Sequence, residues 1–255
     1  MYQGRKATFA ITLAVLMLTI IPVFTQFSPI HTVAATKPQP PSSTSATWSR
    51  AYNIPYSYSL AESVAQTSSG GYVVGASCTA AAVTTPNCNT LSEPTAMVMR
   101  VDSSGNIQSQ IQYNYVKYPY STPLNLIRST ADGGAIFAGN AQFGCPTTGQ
   151  TSCGTIVKVD SNGNVQWAND LQIATSSTYG PLTWPLDLQQ TTDGGYVVAG
   201  YTFAPASSYN PFVVKLSSTG QIQWQHIFVD PSSQYSAAYA VRQMADGGYV
   251  VAGEV

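Results

Sequence analysis

Apolar and polar residues in this chain fall into short runs that keep returning. The stretch QTTDGGYVVAG, ending at Gly200, recurs as STADGGAIFAG ending at Gly139 and as QMADGGYVVAG ending at Gly253. A looser version, QTSSGGYVVGA, ends at Ala76. Each copy is a polar Gly-Gly turn feeding an apolar run, and recurrence of such a unit is the mark of a repeat architecture. The second glycines of the turns, Gly71, Gly134, Gly195 and Gly248, are spaced by 63, 61 and 53 residues. A second pattern follows the first three copies: VMRVDSSGNIQS ending at Ser109, IVKVDSNGNVQW ending at Trp167 and VVKLSSTGQIQW ending at Trp224. The patterned segments hold their order while the stretches between them vary in length, as expected when only strands are packed.

Each unit reads as four short strands, here lettered A to D. In the third copy they cover residues 186–191, 195–202, 212–217 and 221–228, rich in β-branched and aromatic residues and bounded by turn residues. Asp193-Gly194 joins A to B and STGQ joins C to D, both short enough for hairpins whose glycine supplies a positive φ. The prediction is an all-β fold, a β-propeller of four-stranded antiparallel blades, with three full blades and a partial fourth. The segment WSRAYN, beginning at Trp48, matches a D strand, and the chain closes on an A and a B strand. The ring is therefore expected to be truncated, and its apolar B edge to favour self-association.

The region before Trp48 has a different pattern. Arg5 and Lys6 precede an uncharged apolar stretch over residues 7–24, and Val33 and Ala35 fit a small-residue cleavage site. Residues 1–35 read as a secretory signal or an N-terminal membrane anchor, and residues 36–47 as a Pro/Ser/Thr-rich linker. The repeats occupy residues 48–255, and an extracellular or cell-surface location follows from the leader. Cys78 and Cys88 share the B-to-C loop of the first blade, and Cys145 and Cys153 that of the second, so two local disulfides are expected after export.

Composition narrows the function. Of 255 residues only 8% are charged, and the net charge is −1, which argues against binding nucleic acid by counterion release. With so few titrating groups, stability should depend weakly on pH. Asp132, Asp193 and Asp246 stand before Gly-Gly pairs, where a carboxylate caps the turn. Arg100, Lys158 and Lys215 share one position on strand C, with Asp102 and Asp160 two residues on, and repeated surface or inter-blade ion pairs are expected from that spacing. DSNGN at residues 160–164 has the oxygen side chains of a calcium loop, but its glycine is misplaced and no acid closes it. His226 is the one histidine outside the leader, so no metal site and no catalytic residues are assigned. Gly139, Gly200 and Gly253 share a place late in strand B and are expected to admit a neighbouring backbone or ring.

The pairing of QTxDGGYVVAG with VKxDxxGxxQW resembles a family of secreted prokaryotic repeat proteins among the quinoprotein-like β-propellers. The resemblance implies that Trp48, Trp167 and Trp224 dock between neighbouring blades. Ser217 replaces the motif's aspartate in the third copy, and Ser109 its tryptophan in the first. The quinone site of the enzymes needs a larger ring and an adjacent cysteine pair, which this chain lacks, so no cofactor is expected.

The binding surface is read from the D-to-A loops. Tyr56, Tyr58, Tyr118, Tyr120, Tyr179, Trp184 and Tyr235 fall at equivalent places in successive blades and should gather on one rim. Tyrosine and tryptophan offer rigid contact area with a polar handle, suited to a surface protein or a polysaccharide. The functional expectation is a non-catalytic, extracytoplasmic binding or surface-structure module. The alternative is one part of a quinoprotein-like oxidoreductase.

Overall fold

The computed structural model describes residues 48–52, 58–79, 95–113, 122–142, 152–171, 173, 182–204, 208–229, 233 and 235–254. These form three four-stranded antiparallel sheets, each in the order of the chain. The first blade holds β1 (Tyr58–Gln66), β2 (Tyr72–Thr79), β3 (Thr95–Val101) and β4 (Ile107–Tyr113). The second holds β5 (Thr122–Ser129), β6 (Ala135–Gln142), β7 (Ser152–Val159) and β8 (Val165–Leu171). The third holds β9 (Thr183–Gln190), β10 (Tyr196–Ala204), β11 (Ser208–Leu216) and β12 (Ile222–Ile227), and β13 (Ala237–Gln243) pairs with β14 (Tyr249–Glu254) as a partial fourth. The first strands β1, β5, β9 and β13 pack on one another along the inside, while β4, β8 and β12 lie outermost with side chains that are exposed or only partly buried, save Leu171. This is the propeller arrangement of meander blades, and the described sheets do not close into a ring. Residues 48–52 join neither β13 nor β14 in a sheet.

Strands B and C of the three full blades are apolar on both faces because each of those sheets is covered twice. Val73 and Val98 of the first blade meet Ile127, Phe137 and Val157 of the second. Ile136, Ala138 and Ile156, on the other face of that second blade, meet Tyr196, Val198 and Phe212 of the third. Val197, Ala199 and Val213 then meet Ala238 and Val241. Alternate residues of a strand point to opposite faces, so an unbroken apolar run is what a doubly covered strand requires.

The DGG turn has a separate reason for each residue. Asp193 accepts a bond from the Gly195 amide at 3.0 Å, and Gly194 takes a φ of +79°. A Cβ at Gly195 would lie 2.3 Å from the Leu216 carbonyl and 2.4 Å from Lys215 Nζ, so the second glycine admits the C strand rather than a special φ. Lys215 is buried beneath this turn and donates to Asp193, the Leu216 carbonyl and Gln223 Oε1 at 2.9, 2.9 and 3.0 Å. Lys158 does the same with Asp132, the Val159 carbonyl and Gln166.

These pairs correct the expectation of surface or inter-blade ion pairs, since Lys158 and Lys215 are buried and each pairs within its own blade. Val159 is the last residue of β7, so Asp160 lies in the turn and the strand's two-residue period no longer applies to it. Its carboxylate instead accepts the amides of Asn162 and Asn164 at 2.8 Å, and Asp102 caps its own turn in the same way. Removing Asp193 as alanine should cost about 2 kcal/mol, because it leaves a buried ammonium short of its anion. Lys215→Met, which removes the charge as well, should cost less, and urea midpoints of the two variants test the order.

Each of the three tryptophans meets the tyrosine that follows a Gly-Gly turn. Trp48 packs edge-on to Tyr72 with ring centroids 6.2 Å apart and donates its indole N–H to the Ser103 carbonyl at 2.8 Å. Trp167 meets Tyr196 at 5.7 Å and donates to the Ser218 carbonyl at 2.9 Å, and Trp224 meets Tyr249 at 5.4 Å. The junction of the first and second blades differs on both sides at once. Ser109 stands for the tryptophan and Ala135 for the tyrosine beneath it. Aromatic contact is restored two residues inward on one strand, with Tyr113 against Phe137 at 5.2 Å.

Candidate functional site

The hairpin turns lie at one end of the blades, and the B-to-C and D-to-A connections at the other. At the connection end of the third blade the strands run further than the sequence pattern suggests, to Ala204 in β10 and from Ser208 in β11. The extension carries Phe203 and Tyr209, which pair across the two strands beside Tyr201. Trp184 pairs across the sheet with Tyr201.

These residues build a continuous aromatic cluster. Trp184 stacks on Tyr201 with centroids 6.0 Å apart and planes 14° from parallel. Tyr209 meets Tyr201 and Phe203 edge-to-face, each at 5.3 Å, and stacks on Tyr235 at 5.2 Å and 19°. Backbone contact joins Ser236 to β11, since its amide donates to the Tyr209 carbonyl at 3.0 Å. The Ser233 hydroxyl braces the loop by donating to the Tyr235 carbonyl at 3.0 Å. A cavity of about 230 Å³ opens beside the cluster, with Tyr201, Tyr209, Tyr235, Tyr239 and Glu254 on its walls. Tyr235 is 67% exposed and Tyr239 51%, so two tyrosine faces remain in contact with solvent.

The polar groups are neutral donors around one carboxylate. Tyr239 donates its hydroxyl to Glu254. That bond, together with the carboxylate charge, keeps the phenol protonated above its ordinary range. Burial raises Tyr201, helped by the nearby hydroxyls of Tyr209 and Tyr239. The site therefore offers hydrogen-bonding phenols and a single acceptor carboxylate beside stacked rings. Among the described residues no group of His, Cys, Asp or Glu converges as a metal-binding set.

Of the expected rim residues, Trp184 and Tyr235 come together here, linked through Tyr201 and Tyr209. Tyr56, Tyr118, Tyr120 and Tyr179 lie outside the described residues, as does the side chain of Tyr58. Tyr201, Phe203, Tyr209, Tyr239 and Glu254 were not among the expected set. The alternation of Tyr201 with Phe203 past Gly200 was the available signal that β10 continues. Cys153 is buried and disulfide-bonded, while the side chains of Cys78, Cys88 and Cys145 lie outside the described residues. His226 packs edge-to-face on Phe228 at 4.5 Å on the outer strand.

No family model matches the chain, and no curated protein matches it. Among solved structures it is similar to a mannose phosphorylase from Leishmania mexicana, at 12% identity and a TM-score of 0.44 over 75% of this chain and 62% of that one. It is also similar to a hypothetical protein from Leishmania major, at 11% identity and 0.43 over 75% and 62%. A third likeness is to a Bacteroides caccae protein of unknown function, at 9% identity and 0.23 over 74% and 88%. The chain thus spans about three fifths of the length of the two Leishmania proteins. At these scores the likenesses carry no argument about activity.

Proposed function

We propose that this chain is an extracytoplasmic, non-catalytic propeller module that holds a polysaccharide at the connection rim of its third and fourth blades. The observation that carries the reading is the aromatic series Trp184, Tyr201, Tyr209 and Tyr235, two stacked pairs joined edge-to-face, beside a cavity of about 230 Å³. The apolar face of a sugar ring stacks on an exposed tyrosine, and its hydroxyls bond to phenols and to a carboxylate such as Glu254. The cavity is smaller than the pockets that enclose drug-sized molecules, which suits one unit of a chain that continues into solvent. The apolar leader and the disulfide at Cys153 support export to an oxidising surface environment, with cleavage or retention of the leader setting whether the module is released or anchored.

Titration of neutral cello-, chito- and xylo-oligosaccharides into the protein, followed by tryptophan fluorescence, tests the reading because Trp184 lies in the cluster. At least one series is expected to shift the emission. Tyr235→Ala, at an exposed position, should weaken that binding at least tenfold while leaving the melting temperature unchanged. Failure of every series to bind, or full affinity in the Tyr235 variant, would overturn the assignment.

A further inference from the structure

The first blade departs from the repeat at three positions, and the departures meet in one place. In the second and third blades a buried lysine fills a slot under the Gly-Gly turn and pairs with the turn aspartate. In the first blade the aspartate is replaced by Ser69 and the lysine by Arg100. Arg100 has left the slot and reaches across the blade boundary, donating to the Gly133 carbonyl at 3.0 Å and the Asp160 carbonyl at 3.3 Å. Among the described residues no carboxylate pairs with it. Two carbonyls leave the charge unneutralised, and three of the five guanidinium N–H groups are not used in those bonds.

Next to the emptied slot lies the space that a tryptophan occupies at other junctions, here left by Ser109. Together they make a groove of about 600 Å³, walled by Ser69, Arg100, Gln108, Ser109, Ser161 and Asn162. Gln108 stands where Gln166 and Gln223 bind the lysines of their blades. Asp102 also borders the groove, but both of its oxygens are turned to its own loop, accepting from Ser104 and from Asn106 at 2.8 Å. The bonds from Asn106 and Ser104, with Arg50 nearby, hold the Asp102 carboxyl below its ordinary range.

We propose that this groove is a second binding site, taking a carboxylate-bearing polyhydroxylated ligand of the uronic acid class. The guanidinium fork matches a carboxylate bidentately, and the serine hydroxyls and the amides of Gln108 and Asn162 match sugar hydroxyls. A bare anion gains less here because Asp102 opposes it, which favours a ligand whose hydroxyls add contacts. The groove lies at the turn end of the blades, opposite the aromatic rim, and the inference does not rest on the function proposed for that rim.

Calorimetric titration of the full chain with glucuronate, using glucose as the neutral control, tests it. Glucuronate is expected to bind at least tenfold more tightly than glucose. Ser69→Asp supplies Arg100 with the carboxylate that the other blades provide. It should weaken glucuronate at least tenfold without lowering the melting temperature. Ser109→Trp, which refills the groove, should do the same, so a folding failure in one variant leaves the other to decide. Tyr235→Ala, at the opposite rim, should bind glucuronate as the unaltered protein does. Equal affinity for the two sugars, no binding of glucuronate, or undiminished binding in a folded groove variant would overturn the proposal.

Discussion

Asp187→Ala is expected to destabilise the protein by about 3 kcal/mol, because it removes the one anion from a buried cationic clamp. Asp187 is 3% exposed on the inner strand β9. It takes a guanidinium from each neighbouring blade, Arg128 of β5 at 2.5 Å and Arg242 of β13, and the Val241 amide at 3.0 Å. Without it, two arginines face each other across the third blade and a buried amide loses its acceptor. Both guanidinium groups are partly exposed, which keeps the cost toward the lower end for a broken buried pair. Burial pushes the Asp187 carboxyl up, but the Val241 amide, Arg242 and Arg128 outweigh it and hold the group below its ordinary range. A depressed folded-state pKa contributes stability above the unfolded value of about 3.9, and that contribution is lost as pH falls through the lower folded value. Asp132 acts in the same direction, with burial outweighed by Lys158 and its value held at about 2. Urea midpoints should therefore fall below about pH 4 in the unaltered protein and fall less in Asp187→Ala. An alanine variant with an unchanged midpoint at pH 7 would show that the clamp contributes nothing.

Gly200→Val should cost about 3 kcal/mol or prevent folding, since the obstruction is backbone. A Cβ at Gly200 would lie 2.0 Å from the Trp184 carbonyl and 3.0 Å from the Phe212 ring. The close approach comes from the bulge where Ala199 pairs with Asp187 but Gly200 pairs with Pro185. Backbone cannot rotate aside as a flexible side chain does, so overpacking here stands at the upper end of its usual cost. Gly253 is built alike, with the Ala237 carbonyl 2.0 Å from its added Cβ. Thermal melts of Gly200→Ala and Gly200→Val test the idea. Both should fall, and valine further. A melting temperature for valine within a degree of the unaltered protein would mean that β9 yields at no cost.

Much of this architecture was legible before any coordinates. Gly-Gly turns, apolar B and C strands and a tryptophan at the end of the C-to-D motif are local patterns, and each demands a local geometry: a positive φ, cover on both faces, a neighbour to dock against. The site was legible only in part. Trp184 and Tyr235 could be assigned to a rim from their place in the D-to-A loops, but their link through Tyr209 depends on strands being longer than their turn-bounded runs. The spacing of Lys158 and Asp160 does not place them on one strand face, because a strand's two-residue period stops at Val159, where the turn begins.

The sequence by itself determined the repeating four-strand unit and the positive φ of the first glycine in each DGG turn, because those properties belong to residues close along the chain or at fixed positions in each copy. The tertiary structure decided the rest. Arg128 and Arg242 meet on Asp187 only because three inner strands lie side by side. The groove around Arg100 exists because substitutions at Ser69 and Ser109, forty residues apart, empty adjoining space. Periodicity along one strand fixes which face a side chain takes, while the packing of blade on blade sets what that face meets, and both candidate sites lie where blades meet.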